Sequence, residues 1–291
     1  MNTDQAELIV VPTPIGNLSD ITERVRAALR EADLIACEDT RTTGRLLKYL
    51  DSKVPAISYH MHNEQTRSEE VLRSLAAGKT VALVSDAGMP GISDPGQVLI
   101  AKAIAEGHKI TVLPGPTAFV TALVGSGLPT DRFTFIGFLD KNRTRRKCEL
   151  EELRIRRETL IFFEAPHRLK ELLETLLMIL GDRRICLARE LSKLYEEFER
   201  GRISELIGIY EEKEPRGEYV ILVEGLTEEE IQAREEARLA SLSVEDQVIQ
   251  LMAGGLSKMD AVKQAAKERG LKKNDVYMQV TDLGKATKGK I

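Results

Sequence analysis

The residues best suited to hold a polar ligand lie in three short stretches. Ser85 to Gly96 (SDAGMPGISDPG) contains three glycines and two prolines directly after an apolar run. Such a loop exposes backbone N–H and C=O groups, so it suits a ligand read by main chain rather than by charge. Pro12 to Leu18 (PTPIGNL) has two prolines that fix φ and a glycine that permits a tight turn. Pro114 to Ala118 (PGPTA) opens a helix, with Pro116 suited to its first turn and the Thr117 hydroxyl facing the same side. None of the three is a G-x-G-x-x-G fingerprint or a phosphate loop ending in Gly-Lys-Ser/Thr.

Proton-transfer chemistry has several candidate groups near predicted strand ends: Glu38, Asp39, His60, His62, Glu64, Asp86, Glu164 and His167. The residues alone do not choose among them. His60 and His62 are two apart and share a face if extended. That spacing could hold zinc, but no third ligand is evident, so no metal site is expected and a substrate-facing polar strand end or an exposed loop is favoured. Phe163 to Arg168 (FEAPHR) ends an apolar run and starts a helix at Pro166; it faces a cleft or forms a salt-bridged cap. Lys141 to Lys147 has five basic residues in seven, a pattern that fits phosphate contact by Arg143, Arg145 and Arg146 or a solvated helix start. Arg41, Arg45 and Arg168 are further cations near these sites.

These groups need a scaffold. ELIVV (7–11), DLIAC (33–37), PAISY (55–59), TVALVS (80–85) and KITVLP (109–114) read as strands. Ile21, Val25, Ala28, Leu29 and Ala32 follow helical spacing between the first two, and Val71, Leu72, Leu75 and Ala76 do so before the fourth. Such alternation predicts an α/β fold with a mostly parallel sheet covered on both faces, with ligands beyond the carboxyl ends of the strands. A second block has strands at 132–138, 159–165, 184–190 and 217–225, with helices near 143–154, 166–180 and 202–212. GSGLPTDR (125–132) separates the blocks, giving α/β domains at 1–125 and 126–226.

The character changes after Gly225. Residues 227–242 read as an acidic, polar linker helix. Residues 243–291 hold three helical patterns at 243–252, 257–269 and 273–283, separated by glycines. From Lys258 onward there are nine Lys and Arg against four acids, including Lys285, Lys288 and Lys290. The pattern fits a basic helix-turn-helix-like module or a small helical cap.

Composition narrows the function. The 291 residues have a net charge of -4, which excludes a uniformly basic nucleic-acid coat but not local patches. Aromatics are 4% and Trp is absent, which disfavours a broad base-stacking platform. Cys37, Cys148 and Cys186 form no Cys-x-x-Cys pair, so disulfide and cysteine–zinc frameworks lack support and a reducing cytoplasm is expected. The start lacks a basic region, so no secretory signal is expected, and no apolar run of about 18 residues suggests a membrane span.

Taken together, VPTPIGNLSDIT (11–22), ACEDTRTTGRLL (36–47), SDAGMPGISDPG (85–96), LPGPTA (113–118), FEAPHRL (163–169) and ARELSKLYEEFERG (188–201) carry a resemblance. The chain resembles the tetrapyrrole-methylase superfamily of S-adenosylmethionine-dependent methyltransferases over residues 7–225. Its strings are closest to the branch acting on ribosomal RNA. Porphyrin and corrin enzymes usually carry Gly-Asp-Pro where this chain has Ser85-Asp86-Ala87, and Gly-x-Gly-Pro-Gly in the first loop.

The resemblance implies a two-domain tetrapyrrole-methylase-like α/β fold with a mixed second sheet, a homodimer, and S-adenosylmethionine bound between the domains. It implies 2'-O-ribose methylation of a decoding-centre cytidine of 16S ribosomal RNA (cytidine 1402). A methylase of a tetrapyrrole or protein side chain, and a non-catalytic RNA-binding factor, are the alternatives. Mapped onto this chain, donor contacts are expected from Pro14, Ser85, Asp86, Ala87, Gly88, Ile92, Ser93, Thr117, Ala118, Phe163 and Ala165. Asp86, Glu164 and His167 are the catalytic candidates. Arg41, Arg45, His60, His62, Arg143, Arg145, Arg146 and Arg168 are the candidates for the RNA side. A sulfonium needs carbonyl oxygens and weak C–H···O contacts rather than a metal.

Overall fold

The computed structural model describes residues 6–280. Lys285, Lys288 and Lys290, together with the end of the helix expected at 273–283, lie outside the described residues. The chain divides into two compact units, Met1–Gly225 and Leu226–Ile291.

The first unit contains two five-stranded sheets. Strands β1 (Glu7–Val10), β2 (Leu34–Cys37), β3 (Ala56–Ser58), β4 (Val81–Val84) and β5 (Lys109–Val112) form the first, in the order β3-β2-β4-β1-β5. Every pairing in it is parallel. The central strand β4, VALV, is buried at every residue, as a parallel strand covered on both faces must be. Side chains alternate between two cores. Ile9, Ile35, Ala82 and Val84 pack with helices α1 (Glu23–Glu31) and α2 (Thr40–Tyr49). Leu8, Ala36, Val81 and Leu83 pack with α3 (Glu64–Ala76) and α4 (Gln97–Ala105). Thr22 caps α1 by accepting from the Val25 N–H.

The second sheet is mixed. It contains β6 (Phe133–Phe138), β7 (Thr159–Glu164), β8 (Arg184–Arg189), β9 (Glu197–Arg202) and β10 (Tyr219–Val223), in the order β6-β7-β10-β8-β9. β6 and β7 are parallel, whereas β10 is antiparallel to β7 and β8, and β9 is antiparallel to β8. One face packs against α7 (Pro166–Leu180) and α8 (Ile203–Glu212), with α6 (Arg143–Leu153) contributing Leu150. The other face carries Ile161, Cys186, Ala188, Val220 and Leu222 and is covered by Ala122 and Leu123 of α5 (Ala118–Ser126). Thus α5 follows the last strand of the first sheet and lies on the second.

Strand β9 was not expected. Its sequence, EFERGR, lacks apolar alternation because its carboxylates pair with cations: Glu197 with Arg189 and Lys213, and Glu199 with Lys213.

The second unit holds α9 (Glu228–Ser241), α10 (Val244–Ala253), α11 (Lys258–Glu268) and α12 (Lys273–Gln279). Thr227 and Glu230 form a capping box on α9. Val248, Ala261, Val262, Ala265, Ala266, Val276 and Val280 make a small core shared by the last three helices. Arg269 closes the unit by donating to the Leu242 carbonyl (2.6 Å) and to Gln247. No helix among the described residues is long and apolar enough to cross a membrane.

Two glycines provide a test of this packing. A Cβ on Gly225 would lie 2.1 Å from the Arg157 carbonyl oxygen, a backbone contact with no flexible side chain to yield. Gly208, within α8, has nothing within 4 Å. Gly225→Ala is expected to destabilise the first unit by about 1–3 kcal/mol. Gly208→Ala is expected to stabilise it by about 0.5–1 kcal/mol. Opposite shifts in the unfolding midpoint check both.

Candidate active site

Because the first sheet is parallel, the loops after β1, β2, β4 and β5 all emerge at one edge. Hydrogen bonds stitch them together. Thr13 N–H donates to the Gly88 carbonyl (2.8 Å), and Gly88 N–H donates back to Thr13 (2.9 Å). The Thr13 hydroxyl donates to the Ser85 carbonyl at 3.1 Å. The Asp39 N–H donates to the Asp86 carboxylate at 3.2 Å, joining the loop after β4 to the start of α2. Gly88 has φ of 81°, which lets the loop turn back onto Thr13.

These loops form one wall of a cavity of about 560 Å³. The opposite wall is the second sheet, with Ala188 and Arg189 of β8, Tyr219 and Val220 of β10, and the turn at Gly217 and Glu218. Phe119, Phe138 and Phe163 supply an apolar flank. Phe119 stacks on Phe135 with centroids 4.4 Å apart, and Phe163 meets Phe135 and Phe138 edge-on at 5.1 and 5.5 Å. The segment after β8 crosses between the walls: Ser192 hydrogen-bonds Asp20, and Lys193 lies against Gly16. Ser93 and Glu190, which line this space, are left-handed although neither is glycine, as is Ser192 in the crossing segment.

The cavity is acidic. Glu38, Asp86 and Asp94 line it together. Burial pushes the Asp94 carboxyl up to about 6; Glu38 and Asp86 push the same way, against a Ser85 hydrogen bond. Burial also raises Glu38, with Asp86 adding to it, and raises Asp86 itself. The cations on the opposite wall are engaged: Arg189 by Glu197, and Lys193 by Glu190 at 2.9 Å. A cavity with crowded carboxylates, main-chain polar groups and aromatic edges fits a cationic ligand with a flat apolar ring.

Of the donor contacts expected from the sequence, Asp86, Ala87, Gly88, Ile92, Ser93, Thr117, Ala118 and Phe163 line the cavity. Pro14, Ser85 and Ala165 do not. Ser85 is buried behind the loop with its hydroxyl turned back to the loop carbonyls, and Ala165 is the N-cap of α7. Among the catalytic candidates Asp86 is in the cavity. Glu164 is not, being fully buried and ion-paired with Arg168 at 3.3 Å. His167 sits exposed on the first turn of α7, away from the lining residues.

The RNA-side candidates also divide. Arg41, Arg45 and His62 are exposed, and His60 is half-buried with its ring held by Asn63 at 3.1 Å. The two imidazoles stand 5.9 Å apart. Among the described residues no three His, Cys, Asp or Glu are grouped to hold a metal ion. Arg143 and Arg145 are exposed at the start of α6. Arg146 is 1% exposed and pairs with Glu171. Arg168 donates to the Leu139 and Asp140 carbonyls. The last two tie α6, β6 and α7 together, so their guanidinium groups are turned inward rather than towards an RNA. Helical spacing held the signal for Arg146, which shares a stripe with Leu150 and Leu153.

Other lining residues were not singled out in the sequence: Met89, Asp94, Phe119, Phe138, Arg189, Glu190, Lys193 and Glu218. Asp94 stands within the noted loop, and Arg189 to Lys193 within a noted string. The phenylalanines had no sequence signal, because they converge only through sheet pairing.

The chain matches the family model for tetrapyrrole (corrin/porphyrin) methylases over residues 7–207. It belongs to that family. The fold agrees: uroporphyrin-III-C-methyltransferase from Thermus thermophilus superposes with a TM-score of 0.55 at 20% identity, covering 75% of this chain and 94% of that one. Curated relatives refine the placement. A ribosomal RNA small subunit methyltransferase I from Halalkalibacterium halodurans is 46% identical over 94% of both chains. Its namesake from Bacillus subtilis is 44% identical over 94% of both. The chain is a methyltransferase, and its family uses S-adenosylmethionine.

The raised Asp94 carboxyl makes stability depend on pH. Its folded value lies above the ordinary 3.8, so the penalty for the buried charge is present above about pH 6 and is lost as pH falls towards 4. Asp94→Asn is expected to raise the melting temperature at pH 8, by on the order of 1–3 kcal/mol of stability, with the gap closing by pH 4. Thermal melts of both proteins across that range check the sign.

Proposed function

We propose that this protein transfers a methyl group from S-adenosylmethionine to the ribose 2'-hydroxyl of a decoding-centre cytidine in 16S ribosomal RNA, in the cytoplasm. The observation that carries this reading is the cavity itself, in a chain whose relatives along nearly their whole length are named small-subunit ribosomal RNA methyltransferases.

The lining residues fit the donor. Glu38, Asp86 and Asp94 offer negative charge to a sulfonium and an amino group. Backbone groups from Ala87 to Ser93 and at Thr117 and Ala118 offer hydrogen bonds to its polar ends. Phe119, Phe138 and Phe163 offer apolar surface to its base. When bound, the donor supplies an electrophilic methyl carbon.

The chain then has two tasks. The two walls hold acceptor oxygen and methyl carbon in line, about 3–3.5 Å apart. A cavity carboxylate accepts the hydroxyl proton; Asp86 and Asp94 are the candidates inside the cavity, whereas Glu164 and His167 are outside it. Asp94, with a value near 6, is mostly ionised at neutral pH. On the acceptor side, Arg143 and Arg145 on α6 and Arg41 and Arg45 on α2 contact phosphates.

The decisive experiment is mass-spectrometric mapping of ribose methyl groups on small-subunit RNA from cells lacking this protein. Loss of one 2'-O-methyl at a decoding-centre cytidine, restored by the wild-type chain, is expected; an unchanged methylation map refutes the assignment. The arginines have a separate readout. Arg143→Ala with Arg145→Ala should lower the slope of log affinity for small subunits against log salt by about 1–2. A slope equal to wild type would make them solvated surface.

A further inference from the structure

We propose that the exposed face of α2 is a docking surface for the RNA phosphodiester backbone, with Gly44 as its point of closest approach; this rests on the reading of the acceptor given above. The helix is two-sided. Thr43, Leu47 and Leu50 are buried in the first lobe, whereas Arg41, Gly44, Arg45, Lys48 and Tyr49 are exposed. Arg41, Arg45 and Tyr49 form one row at i, i+4 spacing, and Gly44 and Lys48 form the row beside it.

Gly44 has no internal explanation. Glycine weakens a helix interior. Its φ is ordinary, and a Cβ there would have nothing within 4 Å. Neither a turn nor a neighbour within the chain requires it. A bare backbone between cations does leave room for a sugar–phosphate strand to lie against the helix. Gly208 on α8 is just as open, but it is flanked by Glu205, Glu211 and Glu212, so it provides a control without cations.

Charge and position agree with an anionic partner. Arg45 and Lys48 have no carboxylate partner among the described residues, and Arg45 donates to the Thr42 hydroxyl at 3.4 Å. Arg41 pairs with Asp39 at 2.8 Å while its side chain stays 89% exposed. The Arg41–Asp39 pair is therefore neutral as a unit, whereas the charges of Arg45 and Lys48 are not offset by a bonded carboxylate. The helix starts at the cavity: Glu38 lines it, and the Asp39 N–H is bonded to Asp86, which also lines it. Ten residues carry the surface about 15 Å outward from that mouth. A strand passing over α2 would deliver its nucleotide to the carboxylate end of the cleft. Tyr49, 54% exposed, ends the row with a ring on which a base can stack.

The test uses the full-length protein, with affinity for purified small subunits measured across a salt series. Gly44→Leu is expected to weaken subunit binding roughly tenfold, and Gly44→Ala by a smaller factor. Neither should lower the melting temperature or alter the dissociation constant for S-adenosylmethionine by calorimetry. Arg45→Gln with Lys48→Gln should reduce the salt slope by about 1 per lost phosphate contact. Gly208→Ala should leave subunit affinity as it is. Wild-type affinity in folded Gly44→Leu overturns the proposal, as does a change confined to self-association in sedimentation. A wild-type protein that binds subunits but not the donor refutes the proposed reaction and leaves the docking face standing; one that binds no subunits overturns both.

Discussion

Everything at the site depends on the parallel pairing of β4 with its two neighbours. A fully buried strand flanked by β2 and β1 running the same way sends three loops out at a single edge. The reciprocal backbone pair between Thr13 and Gly88 then fixes how far apart two of them stand. The Asp39 N–H does the same for the third through Asp86. No charged side chain is needed to build the first part of this frame. The carboxylates of Glu38, Asp86 and Asp94 each take one hydrogen bond from the frame, from the Asp86 N–H, the Asp39 N–H and the Ser85 hydroxyl, and none is ion-paired among the described residues.

The second lobe uses charge in the opposite way. Glu164, Arg168, Arg146, Glu171, Arg189, Glu197 and Lys213 mostly satisfy each other or nearby carbonyls. Arg146 and Glu164 are the buried members, and removing Glu171 or Arg168 would leave their charges uncompensated, so these two pairs hold sheet to helix. The same residue type therefore has different work in adjacent turns of α6. Arg143 and Arg145 face solvent, while Arg146 reaches the interior.

Much of this was legible in the sequence. Nine of the ten strands follow from apolar runs, because buried parallel and central strands need them: VALV and YVILV are buried throughout. The glycine- and proline-rich loops marked the edge where the cavity lies, and eight of the eleven residues named for donor contact line it. What escaped was tertiary. β9 hides its strand character behind paired charges. Ser85 and Glu164 have the right residue types but do not line the cavity, a matter of side-chain placement that spacing alone does not settle. A low aromatic content argued against stacking surfaces. Yet all seven phenylalanines fall in α5 and the second sheet, and three of them meet at the cavity. Composition averages over the chain, whereas strand pairing concentrates.

The crowding of Glu38, Asp86 and Asp94 has a consequence for turnover under the proposed reaction. Burial raises the proton affinity of all three carboxylates, and neighbouring carboxylates add to it, so a bound cation favours their ionised forms. Methyl transfer removes that cation, since the donor's sulfur becomes a neutral thioether. The same residues that favour the donor therefore favour the spent cosubstrate less, by the charge interaction alone. Attraction to the ground-state cation also opposes transfer as its charge disperses, so these carboxylates do not by themselves accelerate the step. Rate must come from alignment between the two walls and from proton removal. That division of labour places discrimination between donor and product on the loops of the first lobe, and positioning of the acceptor on surfaces outside the cavity.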